Sequence, residues 1–244
     1  MNLLDPRAPY IKKRFEKINR VIGVSSGKGG VGKSTISTFL ALLLKQKGYK
    51  TGLLDLDIYG PSTHVILGVK NAKLNENLGV EPLNIDNLKF FSTIFFTENK
   101  PFLMRGNELS DALLEILTIV NWGELDFLVI DMPPGFGEAT LDLLRLIKKI
   151  EFLIITNPSV ISLETVKKLI QTLKEGKYKI VGLIENMKST DEDFVIKSCD
   201  ELNINYLGSV PYFYDIEMTY GNIETMSESN VSLFLDKVLN KILF

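Results

Sequence analysis

Residues 27–35 read Gly27-Lys28-Gly29-Gly30-Val31-Gly32-Lys33-Ser34-Thr35, between an apolar run (Val21, Ile22, Val24) and a stretch with Ile36, Phe39, Leu40, Leu43 and Leu44 at helical spacing. The order strand, glycine loop, helix is the context of a phosphate-binding loop. Glycines let successive backbone N–H groups turn inward on an anion, and the next helix adds the positive end of its dipole. Gly48 supplies a left-handed stop for that helix. The spacing satisfies G-x-x-x-x-G-K-S/T, and it also satisfies G-x-G-x-x-G through Gly27, Gly29 and Gly32. Lys33 and Ser34 separate the two readings. A nucleoside triphosphate needs an ammonium on its β- and γ-phosphates and a hydroxyl on Mg2+, whereas a dinucleotide needs neither at these positions. The remaining alternative is a glycine-rich turn without a ligand.

The rest of the composition is that of a globular chain. Of 244 residues, 45% are hydrophobic and 24% charged, enough for a large core and unlike a disordered chain. We read it as one α/β domain with an N-terminal extension over 1–19. A net charge of −2 without a long basic run argues against nucleic acid as the main partner. Cys199 is the single cysteine, so no internal disulfide framework exists, and a reducing cytoplasm is the expected setting. The first residues lack an apolar signal core, and no segment reaches the roughly 18 apolar residues of a membrane span.

Taken in order, residues 1–19 predict a loop and a short surface helix without chemistry. Thr51 to Leu54 predict a strand that runs into Asp55-Leu56-Asp57, placing two carboxylates at the edge where α/β sheets bind ligands. A turn rich in Asp, Gly and Pro is the competing reading, above all for Asp55. His64 is the only histidine, and without a second ligand nearby it reads as structural unless a dimer pairs two. Leu88 to Phe96 predict a strand with neighbouring loops. Arg105-Gly106 precedes a helix bearing Leu109, Leu113, Leu114 and Leu117 on one face. Phe127 to Ile130 form an apolar run ending at Asp131, as in a parallel strand covered on both faces. Asp131 is then placed to hold Mg2+ opposite Ser34. Further strands are expected at 152–156, 180–184 and 208–211, so the alternation predicts a doubly wound, mostly parallel sheet. Residues 231–244 predict an amphipathic helix that packs on the core or, with Lys237 and Lys241 its only positive charges, lies on a membrane.

The string GKGGVGKST resembles the deviant phosphate loop of the Mrp/MinD/ParA ATPases. LLDLDIYGPS, the Arg105-Gly106 pair, VIDMPPG, IENM and GSVP extend the likeness from Arg20 to about Asn222. The resemblance implies a P-loop NTPase fold of the SIMIBI type, ATP and Mg2+, and slow hydrolysis in an ATP-bound homodimer. In that family the lysine matching Lys28 reaches the partner's nucleotide, a role like that of an arginine finger. The alternative is a solvated lysine beside an anion site. The family match gives Asp57 the attacking water and Asp55 a supporting role on Mg2+ or the loop. It gives Pro134 and Gly135 to a switch segment, and Arg105 to nucleotide or partner sensing, with a surface salt bridge as the alternative. Asn186 is matched to the adenine edge, with a turn cap as the alternative, and Pro211 to the base pocket.

The likeness points to the Mrp branch, whose members use a C-x-x-C pair after the Glu-Asn-Met segment for iron–sulfur clusters. This chain has only Cys199 there, so its thiol reads as a small buried hydrophobe. STHVILG, the segment 105–135 and IENMK are similar to the Mrp-type HypB proteins of archaeal nickel–iron hydrogenase maturation. The leading expectation is therefore an ATPase that works with a metallochaperone or an apo-metalloprotein client in nickel insertion. An iron–sulfur cluster carrier of the Mrp type, using Cys199 with outside ligands, is the alternative, and a MinD/ParA-like positioning ATPase a third.

Overall fold

The computed structural model describes residues 5–70, 72–97, 107–135, 137, 140, 144–189 and 192–243. Its strands are β1 (Ile18–Ser26), β2 (Thr51–Asp55), β3 (Leu83–Ile85), β4 (Leu88–Ser92), β5 (Leu125–Asp131), β6 (Ile150–Thr156), β7 (Lys179–Lys188) and β8 (Tyr206–Pro211). They form one eight-stranded sheet in the order β3-β4-β2-β5-β1-β6-β7-β8. Every pairing is parallel except that of β3 with β4.

The helices include α1 (Ala8–Glu16), α2 (Lys33–Gln46), α3 (Thr63–Ile66), α4 (Ile94–Thr97), α5 (Asn107–Ile119), α6 (Val160–Glu175), α7 (Phe194–Glu201), α8 (Ile223–Glu228) and α9 (Asn230–Leu243), with a 3-10 turn at Ile216–Thr219. The strands' apolar runs are divided residue by residue between two cores. Leu128 and Ile130 face the core that holds α1, α5, α6 and α7, while Val129 faces the one that holds α2 and α9. Alternation of side chains across a strand and burial on both faces produce that continuous run.

The N-terminal surface helix forms, with Ile11 and Phe15 packed into the first core while Tyr10, Lys12, Lys13 and Glu16 stay exposed, and Ile18 already opens β1. One expectation needs correction. Leu88 to Phe96 is not one strand, since β4 ends at Ser92 and α4 follows, with β3 added as an antiparallel edge. The packing of Phe90 and Phe91 edge-on against Phe95 accounts for the break. The apolar face of α9 (Leu235, Val238, Leu239) is covered by the second core. No helix among the described residues is long and apolar enough to cross a membrane.

Register places the chemistry. Asp55 on β2 and Val24 on β1 both pair with Asp131 on β5, so the strand ends carry their polar residues at one level.

Candidate functional site

The glycine loop leaves β1 at Ser26 and enters α2 at Lys33. Gly32 sits at φ 79°, and a Cβ there would lie 2.2 Å from Nδ2 of Asn186. No other residue type fits that approach. A Cβ on Gly27 would likewise lie 2.4 Å from Oγ1 of Thr165 on α6. Lys33, only 7% exposed, donates from Nζ to Asp131 at 2.7 Å and lies 3.9 Å from Asp57. Ser34 donates to the other Asp131 oxygen at 2.6 Å, and Ser37 donates to the first at 2.9 Å. One buried carboxylate thus fixes the lysine and the hydroxyl of the loop. Adjacent hydroxyl and carboxylate oxygens are the hard donors that suit a Mg2+ retaining most of its water.

Asp55 is fully buried and committed elsewhere. It accepts from the Asp57 N–H (3.0 Å), from the Thr63 N–H (3.3 Å) and hydroxyl (2.7 Å), and from Ser92 (3.3 Å). Burial first, and then the neighbouring Asp131, hold its pKa above the usual carboxylate range. These bonds tie Asp55 to the loop after β2 and to β4. Asp57 faces the loop, accepts from the Gly60 N–H at 3.1 Å, and has its pKa raised by burial.

A cavity of about 410 Å3 lies over this cluster, bordered by Lys28, Gly29, Gly30, Asp57, Ser62 and Pro134. A second, of about 200 Å3, adjoins it and is lined by Asn186, Met187, Pro211, Tyr212, Phe213 and Tyr214. Thr35, Glu217 and Tyr220 line both. The first offers cations and loop backbone; the second offers aromatic walls. That division suits a ligand with a polyanionic end and a flat, mostly apolar end.

A family model described as "ParA: NUBPL iron-transfer P-loop NTPase" matches residues 17–243. The chain belongs to this family of P-loop NTPases. Among its relatives, the iron-sulfur cluster carrier protein of Methanococcus maripaludis is 35% identical over 230 residues, covering 86% of this chain and 78% of that protein. The carrier protein of Aquifex aeolicus is 38% identical over 182 residues, covering 73% of this chain. The chain spans only 50% of that relative's length. Among solved structures, the nucleotide-binding protein of Archaeoglobus fulgidus, in complex with ADP, superposes with a TM-score of 0.78 at 28% identity, covering 93% of this chain and 95% of that one. The cell division ATPase MinD of Pyrococcus furiosus shares the fold, with a TM-score of 0.68 at 21% identity and coverage of 92% and 98%. The relatives named here carry iron–sulfur names and none refers to nickel. The nickel-insertion expectation is corrected accordingly, the HypB likeness is without support, and the iron–sulfur alternative fits better.

Within this ParA-family fold the other predicted residues fall as follows. Val31 is buried and its carbonyl accepts from Asn186 Nδ2 at 2.8 Å, so Asn186 pins the phosphate loop rather than capping its own turn. A bulge at Met187, at φ 58°, sets that orientation. Thr35 hydrogen-bonds the Tyr220 hydroxyl at 3.0 Å. Gly135 lies at φ 77° and donates its N–H to the Ser26 carbonyl at 3.2 Å. Arg105 and Gly106 lie outside the described residues. His64 is half-buried on α3, and its Nδ1 has no partner among the described residues. Burial lowers its pKa. Among the described residues no three His, Cys, Asp or Glu side chains gather as a metal site.

Cys199 is 1% exposed on α7, with its thiol pushed up to about 12 by burial and then by Asp200 and Glu185. Such a thiol is neither ionised nor accessible. Sequence reasoning overlooked Ser37, Thr63, Glu217 and Tyr220. Ser37 was within reach, four residues after Lys33 on the same helix face. Nothing local marks Tyr220, which arrives through the fold from beyond β8.

Proposed function

We propose that this chain is a Mg2+-dependent ATPase of iron–sulfur cluster assembly that acts as an ATP-bound homodimer. The observation that carries the ATPase reading is the Asp131 carboxylate, which gathers Lys33 and Ser34 at the mouth of the 410 Å3 cavity. Adenine and ribose would occupy the aromatic cavity, near Asn186 and Pro211, and the phosphates the glycine loop. Bound Mg2+ would neutralise phosphate charge from the Ser34 and Asp131 side. Lys33 holds the γ-phosphate by charge. Asp57, whose pKa burial raises, orients the attacking water and takes its proton. The water oxygen bonds to the γ-phosphorus as the bond to the bridging oxygen breaks, leaving ADP and phosphate. Lys28 lines the cavity with its ammonium unpaired among the described residues, which supports its use across a dimer interface.

The iron–sulfur reading rests on the names of the relatives. Cys199 does not serve as a cluster ligand in it, since its thiol is buried. The thiolates come from the donor and client proteins, and nucleotide turnover controls the transfer. The test is anaerobic transfer from a cluster-loaded scaffold protein to an apo-client, with and without ATP. ATP should accelerate transfer by the full chain, Lys33→Ala should abolish the acceleration, and Cys199→Ala should leave it unchanged. Equal transfer with and without ATP would sink the reading.

A further inference from the structure

At the opposite end of the sheet from the nucleotide site lies a cavity of about 400 Å3, built by α1 and the loops around residues 78 and 121–123. It is separated from the phosphate loop by the length of β1, Ile18–Ser26, or about 26 Å at the usual strand rise. Lys13, Arg14 and Lys17 line it together with Asn121, and among the described residues no carboxylate does. Of the acidic residues near it in sequence, Glu16 lies 4.0 Å from Lys12 and Glu124 lies 3.7 Å from Lys50, and Glu76 and Glu81 flank Leu78 without lining the cavity. The ammonium groups of Lys13 and Lys17 have no partner among the described residues.

Arg14 is held in place rather than free. Its Nη2 donates to the Leu78 carbonyl at 3.2 Å, and its Nε donates to the Thr118 carbonyl. The loop is shaped around it: a Cβ on Gly79, at φ 126°, would lie 2.6 Å from Nη2 of Arg14 and 2.4 Å from the Ile119 carbonyl. A guanidinium fixed by neutral carbonyls, partly desolvated and without a carboxylate, keeps its charge uncompensated, and an external anion would stabilise it. Two large apolar side chains rim the same cavity, Tyr10 at 65% exposure and Leu78 at 90%.

We propose that this cavity docks an acidic peptide segment of a partner protein. A carboxylate of the segment meets Arg14, neighbouring carboxylates reach Lys13 and Lys17, and an apolar residue lies between Tyr10 and Leu78. Charge complementarity commits the site to this occupant. The cations converge on one concavity instead of forming the stripe that follows a nucleic-acid backbone. The apolar rim matches side chains that a peptide carries. Docking at this end leaves the nucleotide cavity open, and the inference is independent of what nucleotide turnover drives.

The experiment uses the full chain and a fluorescein-labelled peptide of about 12 residues, rich in Asp and Glu around one Leu, followed by anisotropy. The controls are its Asn/Gln counterpart and a single-stranded oligonucleotide. Binding of the acidic peptide should weaken at least about tenfold in the Lys13→Glu, Lys17→Glu double variant and fall steeply with added salt. The Asn/Gln peptide should not bind, and ATP turnover of the variant should match the parent. Should the double variant fold poorly, the salt dependence with the unaltered chain and the Asn/Gln control carry the test. Undiminished binding by a folded double variant overturns the proposal. So does tighter binding of the oligonucleotide through the same residues, or no peptide binding up to about 1 mM.

Discussion

Lys33 and Lys28 lie in one loop and face different energetics. Lys33 is buried against Asp131, so Lys33→Ala removes a phosphate ligand and also strands a buried carboxylate. We expect loss of ATP binding together with a stability loss of about 3–5 kcal/mol, read by calorimetric titration and thermal unfolding. Lys28 is half-buried and unpaired among the described residues, so Lys28→Ala should unfold as the parent does and bind ATP normally. Its turnover should fall by about 10³ or more, the cost of losing a finger-like cation; an unchanged rate would remove Lys28 from the mechanism. Asp55 gives a pH signature. Burial and Asp131 raise its pKa from 3.8 to about 7, so the folded chain binds its proton more tightly than the unfolded chain. Its contribution to stability is full below about pH 4 and is lost as pH rises toward 7. Urea midpoints of the parent minus those of Asp55→Asn, measured from pH 4 to 8, should therefore fall with rising pH.

The elements differ in how openly the sequence announces them. β5 and β6 are legible because a strand buried on both faces must be apolar throughout, and α2 because its apolar residues repeat at 3.6. The break after β4 is silent in the sequence, because the edge-on packing of Phe95 against Phe90 and Phe91 interrupts an apolar run that reads as one strand. The segment from Ile216 to Gly221 is similarly silent. In the fold it joins two parts of the site: the Tyr220 hydroxyl meets Thr35, while the Gly221 N–H donates to the Ile66 carbonyl at 2.8 Å, next to the loop that bears Asp57. Tyr220→Phe deletes one hydrogen bond, worth about 1 kcal/mol. We expect ATP to bind about fivefold more weakly, with kcat little changed, in steady-state kinetics. A fall in kcat with unaltered KM would instead assign the hydroxyl to the chemical step.

At the scale of the molecule, the nucleotide cavity lies at the C-terminal ends of parallel strands, and the basic cavity at their N-terminal ends. Partners can thus engage the two ends separately. If Lys28 acts across an interface, Asp57→Asn with ATP should accumulate a dimer, seen as a doubled mass by light scattering; a monomer under saturating ATP would refute the shared site. The sequence by itself determined the mostly parallel sheet and the phosphate loop and singled out Lys33, Ser34 and Asp131 as site candidates, because their spacing and strand-end positions follow from local chain geometry, whereas Asp57 came from the family resemblance. It also read the single thiol as buried, and the structure places it at 1% exposure. Only the tertiary structure decided that Asp55 turns to Thr63 and Ser92, that Asn186 donates to the loop at Val31 and that Tyr220 meets Thr35. These depend on strand register and on helices returning from distant sequence, and such contacts exist only once the chain has closed on itself.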